Sequence, residues 1–168
     1  MILPDRLAPG LRVVFCGTAA GTVSARKGHY YAGPGNRFWP MLAETGLTPR
    51  LFRPDEDDQL LSLGIGLTDL AKTAFGADAE IPASAWDAAG LWARIAACQP
   101  ATLAFTSLTA ARLALGRPDL ASGPLPPDVR APGVVLWALP SPSARARSHF
   151  RAAPWHALAT ALPPYTKP

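Results

Sequence analysis

The feature that most constrains the fold is a series of short apolar runs, each stopping at a glycine, a proline or a polar residue. The first run, Val13 to Cys16, is β-branched or aromatic at most positions and is followed by Gly17. A run this short favours a buried strand over a helix, so we predict a strand over 12–16. Similar runs predict strands at 64–70, 101–105 and 133–139.

Helix signals lie between these runs. Capping residues or prolines predict helix starts at Asn36, Pro54, Ser84 (with Asp87 as a capping box), Ser107 and near Pro154. Strands that alternate with helices predict an α/β fold: a three-layer α/β/α domain with a small, mainly parallel central sheet. One domain is expected to span 1–168, with a mobile lead-in at 1–11 and a mobile tail at 163–168.

Composition narrows the possible partners. The chain has 16 Lys and Arg against 12 Asp and Glu, a net charge of +4 that permits a polyanionic partner without requiring one. Cys16 and Cys98 form no metal-ligand pattern, so we expect no zinc or iron–sulfur site. No apolar run could cross a membrane and no signal peptide is visible, so we expect a soluble, cytoplasmic protein, and we assume that it is a monomer.

The carboxyl ends of parallel strands share one edge of a sheet, and this edge usually carries the site. Three loops should meet there, at 17–35, 68–74 and 140–149. In the first loop, the backbone amides of Thr18 to Gly21 and the flat face of Tyr31 suit a planar base. The alternative is that Tyr30 and Tyr31 are ordinary core or rim residues.

The second loop offers one acid. Asp69 directly follows an apolar stretch at the end of a strand, where a general base could act. It could equally be a turn residue that caps Lys72 or the local backbone.

The third loop is basic and rich in hydroxyls. Arginines among small residues suit phosphate contacts, because small side chains allow the backbone to approach closely. A solvated basic loop is the alternative. His149 fits a phosphate or surface contact better than a catalytic base. The polar residues in question are Ser141, Ser143, Arg145, Arg147, Ser148, His149 and Arg151.

Four segments resemble one known family: APGLRVVFCG at 8–17, KGHYYAGPGNRFW at 27–39, GIGLTDL at 64–70 and LPSPSAR at 139–145. The chain resembles the bacterial branch of the mismatch-specific uracil/thymine-DNA glycosylases, within the uracil-DNA glycosylase superfamily. This resemblance implies hydrolysis of the N-glycosidic bond of a uracil flipped out of double-stranded DNA, preferably opposite guanine. It implies no metal or cofactor and an abasic site as product.

The resemblance also implies roles for single residues. Tyr31 would stack on the flipped base, the backbone of Thr18 would face it, and Ser24 would disfavour the methyl group of thymine. Phosphate contacts would come from Ser141 and Ser143. The wedge entering the duplex would comprise Ser143, Ala144, Arg145 and Ala146, with Arg145 inserted and Arg147 adding to the DNA contacts.

One position departs from the family pattern. The first motif normally carries an Asn that positions the attacking water, and Ala19 stands there instead. Asp69 lies at the end of the neighbouring predicted strand, so we hypothesise that it replaces the Asn as the water-activating base. The alternatives are an inactive protein that binds mismatched DNA, which Ala19 favours, and an α/β enzyme acting on free nucleosides.

Overall fold

The computed structural model describes residues 1–165 and has at its centre a five-stranded sheet in the order β2-β1-β3-β5-β4. The first four strands in that order are parallel, and β4 joins the edge antiparallel to β5. The strands are β1 (Val13–Gly17), β2 (Ile65–Asp69), β3 (Thr102–Phe105), β4 (Gly123–Leu125) and β5 (Val135–Ala138). The α-helices are α1 (Thr22–Lys27), α2 (Phe38–Glu44), α3 (Ala88–Cys98), α4 (Leu108–Leu115) and α5 (Ala153–Ala161). Shorter 3-10 segments lie at Pro54–Leu63, Asp78–Glu80, Ala83–Ala85 and Ala144–His149.

The sheet separates two hydrophobic cores, because successive side chains of a strand point to opposite faces. Val13 and Phe15 of β1 belong to the core covered by α2 and α5. Val14 and Cys16 belong to the core covered by α3 and α4. Every residue of β1 is buried, which explains why its sequence is apolar throughout rather than alternating. The predicted three-layer α/β/α architecture is confirmed.

Two elements were not expected from the sequence. The Gly-rich loop 17–35 contains α1, a helix of six residues that ends at Gly28 in a left-handed conformation. The Pro-rich stretch 117–132 contains β4, which pairs with β5 through only three residues. The helix predicted to begin at Ser84 starts later, because Asp87 caps it by accepting a hydrogen bond from the Gly90 amide.

The lead-in that we predict to be mobile is instead packed along the sheet. Leu3 is 1% exposed and Leu11 is 2% exposed. The backbone of Arg6 exchanges two hydrogen bonds with Leu67 of β2, and the Ile2 amide donates to the Lys72 carbonyl. Two buried leucines and a short backbone pairing hold this segment, and the sequence reading overlooked both. Residues 166–168 of the predicted mobile tail lie outside the described residues.

Among the helices of residues 1–165, none combines the length and the apolar character that crossing a membrane would need.

Candidate active site

A cleft of about 780 Å³ opens at the carboxyl edge of the sheet. All three predicted loops line it, as expected from parallel strands that end at one edge. Of the residues that we predict for the site, Arg147 and Ser148 are not part of the lining, and Arg147 Nη2 lies 3.8 Å from the position that a Cβ on Gly35 would take. Within residues 1–165, no group of acidic, His and Cys side chains could hold a metal ion.

Asp69 is the last residue of β2 and lies at the floor of the cleft, where it is 4% exposed. Its backbone carbonyl accepts a hydrogen bond of 2.9 Å from the Arg94 guanidinium. Among the side-chain hydrogen bonds of residues 1–165, none reaches the Asp69 carboxylate. The carboxylate oxygens are not among the buried polar atoms that lack a partner, so they are open to the cleft, where water can bind them.

The pKa of Asp69 is raised to about 6, mainly by burial and in part by the nearby carboxylate of Asp5. Lys72 and Arg94 act in the opposite direction, because a nearby positive charge favours the ionised form. A carboxylate with a pKa near the working pH can accept a proton from water, and it is still ionised at neutral pH.

Gly17, at the end of β1, leaves room for the polar groups above it. A Cβ placed there would lie 2.8 Å from Asp69 Oδ1, 3.3 Å from the Tyr31 hydroxyl and 3.4 Å from Thr106 Oγ1. The hydroxyl groups of Tyr31 and Thr106 are themselves 2.9 Å apart, within hydrogen-bond distance. A carboxylate and two hydroxyls therefore converge over one glycine at the floor of the cleft.

Tyr31 is held in place on two sides. Its ring stacks on Phe38 of α2, with ring centroids 4.0 Å apart and an angle of 18° between the planes. Its backbone takes a φ of 53°, which is uncommon for a residue other than glycine. The ring is partly exposed and lines the cleft, whereas its neighbour Tyr30 is only 2% exposed. The two adjacent tyrosines thus differ: one belongs to the core and one to the cleft.

Thr18, Ala19 and Ser24 all line the cleft but differ in their partners. The Thr18 hydroxyl donates to Asp78 Oδ1 over 2.7 Å, a link to the opposite side of the cleft that the sequence did not suggest. The Ser24 hydroxyl is buried and accepts a hydrogen bond from the Ala32 amide, which fixes the turn before Tyr31. Ala19 presents only a methyl group and cannot bind a water through its side chain.

The serines of the third loop shape its backbone. Ser141 Oγ accepts from the Ser143 amide over 3.2 Å, and Ser143 Oγ accepts from the Arg145 amide over 3.3 Å. The loop is anchored from below, because Trp155 donates its indole N–H to the Pro140 carbonyl. It is also tied to the start of α2 by the Arg37 amide, which donates to the Pro142 carbonyl.

The two sides of the cleft differ in charge. The third loop carries the exposed side chains of Arg145, Arg147 and His149 on one side. Asp78 and Glu80 are exposed on the segment that forms the other side. Ala144 and Ala146 are half-buried between the arginines, so the loop presents small residues alternating with long cationic ones. An anion would therefore be attracted to the third-loop side.

The sequence reading missed a fourth loop in the cleft. Thr106 and Ser107 follow β3 and belong to the lining, and Ser107 also caps α4 by accepting from the Ala110 amide. Thr106 directly follows the apolar run of β3, and Asp69 likewise ends the run of β2. This shared placement at the end of a strand is the sequence signal that could have identified Thr106 as a residue of the cleft, as it did for Asp69.

Comparison with known proteins shows the family and the fold. The family model described as the uracil DNA glycosylase superfamily matches residues 4–161. The solution NMR structure of a Methanosarcina acetivorans protein, assigned as a uracil DNA glycosylase, is similar with a TM-score of 0.64. The similarity covers 94% of each chain at 21% sequence identity, so it concerns the fold. The match to the family model over nearly the whole chain shows that the protein belongs to the uracil DNA glycosylase superfamily.

Proposed function

We propose that this protein is a monofunctional DNA glycosylase that removes uracil from double-stranded DNA, preferably opposite guanine, with Asp69 as its base. Family membership supports the glycosylase role. The single observation that carries the assignment of the base is the buried carboxylate of Asp69, which faces the cleft without a hydrogen-bond donor among residues 1–165.

In the proposed reaction, the bond between C1′ of the deoxyribose and N1 of uracil breaks, and uracil leaves with the bonding electron pair. A water oxygen bonds to C1′, and the proton that this water loses passes to the Asp69 carboxylate. The ionised carboxylate also stabilises the positive charge that develops on the sugar. Both contributions need an acid that is ionised and unpaired, and Ala19 cannot provide either of them.

Tyr31 supplies the binding surface for the base in this proposal. Phe38 covers one face of its ring, and the partly exposed ring lines the cleft. Stacking of a base on an aromatic ring is worth about 1–3 kcal/mol. Thr18 contributes backbone contacts to the base, and Ser24 limits the space near its C5 position. Because Ser24 already bonds the Ala32 amide, its part in selectivity would be steric.

The third loop binds the duplex in this proposal. Arg145 fills the space left by the flipped nucleotide, Ala144 and Ala146 allow close approach, and Arg147 contacts the phosphate backbone. Ser141 and Ser143 keep the loop in shape and present their remaining hydrogen-bonding capacity to phosphates. Flipping a base costs a few kcal/mol and is cheapest at a mismatch, which favours uracil opposite guanine over uracil opposite adenine.

The test is release of uracil from a labelled duplex with one U·G pair, measured in single turnover. We expect the wild type to release uracil and Asp69→Asn to be at least about 100-fold slower. Asp128→Asn is the matched control, because Asp128 lies outside the cleft and pairs with Arg130. Wild-type rates in Asp69→Asn would contradict the role of Asp69.

Ala19 supports one other candidate, a protein that binds mismatched DNA without cleaving it. The release assay combined with a gel-shift assay separates the two candidates, because a binder would shift the U·G duplex in a gel and release no uracil. Binding by the wild type and by Asp69→Asn with no release from either would favour this second candidate.

A further inference from the structure

Beneath Asp69 lies a cluster of charges that the proposed reaction does not use. Asp5, from the N-terminal segment, lies 2.8 Å from Lys72 Nζ and 3.5 Å from Arg94 Nε. Asp5 Oδ1 also accepts a hydrogen bond of 2.7 Å from the Thr68 hydroxyl. One carboxylate therefore joins two cations, one from the loop after β2 and one from α3.

Lys72 is held on three sides by this arrangement. Its ammonium group donates hydrogen bonds to the Leu3 carbonyl at 2.7 Å and to the Tyr30 hydroxyl at 3.1 Å, and it forms an ion pair with Asp5. Arg94 is directed to the backbone of Asp69 and not to its carboxylate. Both cations lie close enough to lower the pKa of Asp69, yet neither forms a hydrogen bond to its carboxylate.

We propose that Asp5 is a positioning residue for this site: it holds Lys72 and Arg94 and so keeps both cations off the Asp69 carboxylate. This inference rests on the proposed role of Asp69 as the base. A lysine freed from Asp5 would be attracted to the Asp69 carboxylate, whose pKa its charge already lowers. An ion pair there would occupy the oxygens that the water needs and would weaken the carboxylate as a base.

The N-terminal segment has the rigidity that this role requires. Leu3 is buried, and the Arg6 amide and carbonyl both pair with Leu67 of β2. Arg6 also pairs with Asp57 over 3.0 Å. Asp5 lies between these anchors, so its carboxylate is held from both directions along the chain.

Other ionisable groups also face Asp69. From β1 and the first loop these are Cys16, Tyr30 and Tyr31, and burial raises the pKa of each, so all three are neutral at the pH of the assay. The remaining charged groups near Asp69 are Asp5, Lys72 and Arg94. Removing the charge of Asp5 therefore lowers the pKa of Asp69 directly as well as by releasing the two cations, and the second effect shows as a larger rise of this pKa on Lys72→Met in the Asp5→Asn background than in the wild type.

The test is a carboxyl titration by ¹³C NMR on the whole protein, paired with the pH profile of uracil release. Asp5→Asn is nearly isosteric, and we expect it to lower the pKa of Asp69 by about one unit. The midpoint of the rate profile should move to lower pH, and the maximal rate should fall while the affinity for the duplex is unchanged.

Three further variants sharpen the test. Lys72→Met should raise the pKa of Asp69, and adding Lys72→Met to Asp5→Asn should return the pKa toward its wild-type value. Asp119→Asn, which removes an exposed acid paired only with Arg117, should change neither quantity. If Asp5→Asn does not fold, the pKa of Asp69 in Lys72→Met becomes the deciding measurement. An unchanged pKa of Asp69 in that variant would overturn the inference.

The outcomes also separate this inference from the proposed function. A slower Asp5→Asn enzyme with an unchanged Asp69 pKa would make Asp5 a structural residue and overturn the inference. If the wild type releases no uracil, the proposed function fails, and the NMR titration still decides whether Asp5 restrains the two cations.

Discussion

Two carboxylates in this protein have opposite surroundings, and the difference between them shows what is special about the acid in the cleft. Asp128 lies in the loop before β5 and accepts hydrogen bonds from Arg130 Nε at 2.8 Å, from Nη2 at 2.9 Å and from the Arg130 amide at 2.9 Å. These bonds hold its pKa down, at about 2. Asp69 receives no such bond from the described residues, and burial raises its pKa to about 6.

A paired carboxylate contributes to the stability of the fold, whereas an unpaired and buried one costs stability. A chain that needed only to fold could replace Asp69 by a neutral residue without losing any hydrogen bond to its side chain. The acid at this position is therefore best explained by chemistry in the cleft. The predictions below test this contrast, beginning with the largest expected effect.

Apart from the loss of Asp69 itself, the largest effect should come from filling the space above Gly17. Gly17→Ala places a Cβ 2.8 Å from Asp69 Oδ1, a contact that real Cβ atoms do not make, so the carboxylate must move. We expect a loss of about 100-fold in the single-turnover rate of uracil release, because a displacement of about 1 Å can cost that much.

Gly33→Ala is the matched control, since Gly33 also lines the cleft and a Cβ there meets nothing within 4 Å. It should keep a rate close to that of the wild type. Equal rates for both alanine variants would mean that the position of the Asp69 carboxylate does not limit the reaction.

The second prediction concerns stability. Because the pKa of Asp69 is higher in the folded than in the unfolded state, folding loses stability as the pH rises from about 4 through about 6. Asp69→Asn should remove this loss and raise the free energy of unfolding at pH 7.5 by about 1–3 kcal/mol, with little effect near pH 4.

Asp128→Asn should have the opposite sign. The lowered pKa of Asp128 gives stability that is present above about pH 4 and is lost as the pH falls through about 2. Since the pair is partly exposed, its removal should cost only about 0.5–1 kcal/mol at pH 7.5. Urea unfolding at pH 4 and at pH 7.5 measures the change in the free energy of unfolding for both variants. A change of the same sign in the two variants at pH 7.5 would contradict the difference that we describe between Asp69 and Asp128.

The smallest effect is expected at the third loop. Arg145 is exposed, so Arg145→Ala should leave the stability of the protein unchanged and weaken duplex binding by about threefold to tenfold. Arg117→Ala, on a different part of the surface, should not affect binding. Fluorescence anisotropy at two salt concentrations measures both, and a shallower salt dependence is expected for Arg145→Ala alone.

The sequence predicted the fold well because each buried strand forms a short apolar run ended by a glycine, a proline or a polar residue. The strands β1, β2, β3 and β5 all appear near their predicted positions. The edge strand β4 was missed because it has only three residues, including Gly123 and Pro124, which do not indicate a strand. Helix α1 was missed because its sequence lies between glycines and carries no side-chain cap.

The site could be predicted only in part. The order of parallel strands brings Asp69 and the third loop to one edge, so the sequence could place them together. It could not show that the Asp69 carboxylate lacks a donor, or that Asp78 bonds Thr18 across 60 positions of the chain. The role of residues 1–11 was also misjudged, because Asp5 and Lys72 are distant in sequence and meet only in the folded chain.

The central claim is that an unpaired, buried Asp69 acts as the base, and its most direct test is the pH dependence of single-turnover uracil release from a U·G duplex. Asp69 must be ionised to act, so the rate of the wild type should rise about tenfold per pH unit below pH 6 and level off above it. Asp69→Asn should show a low rate that does not change across this range. A wild-type profile without a rise near pH 6, or the same profile in Asp69→Asn, would contradict the account.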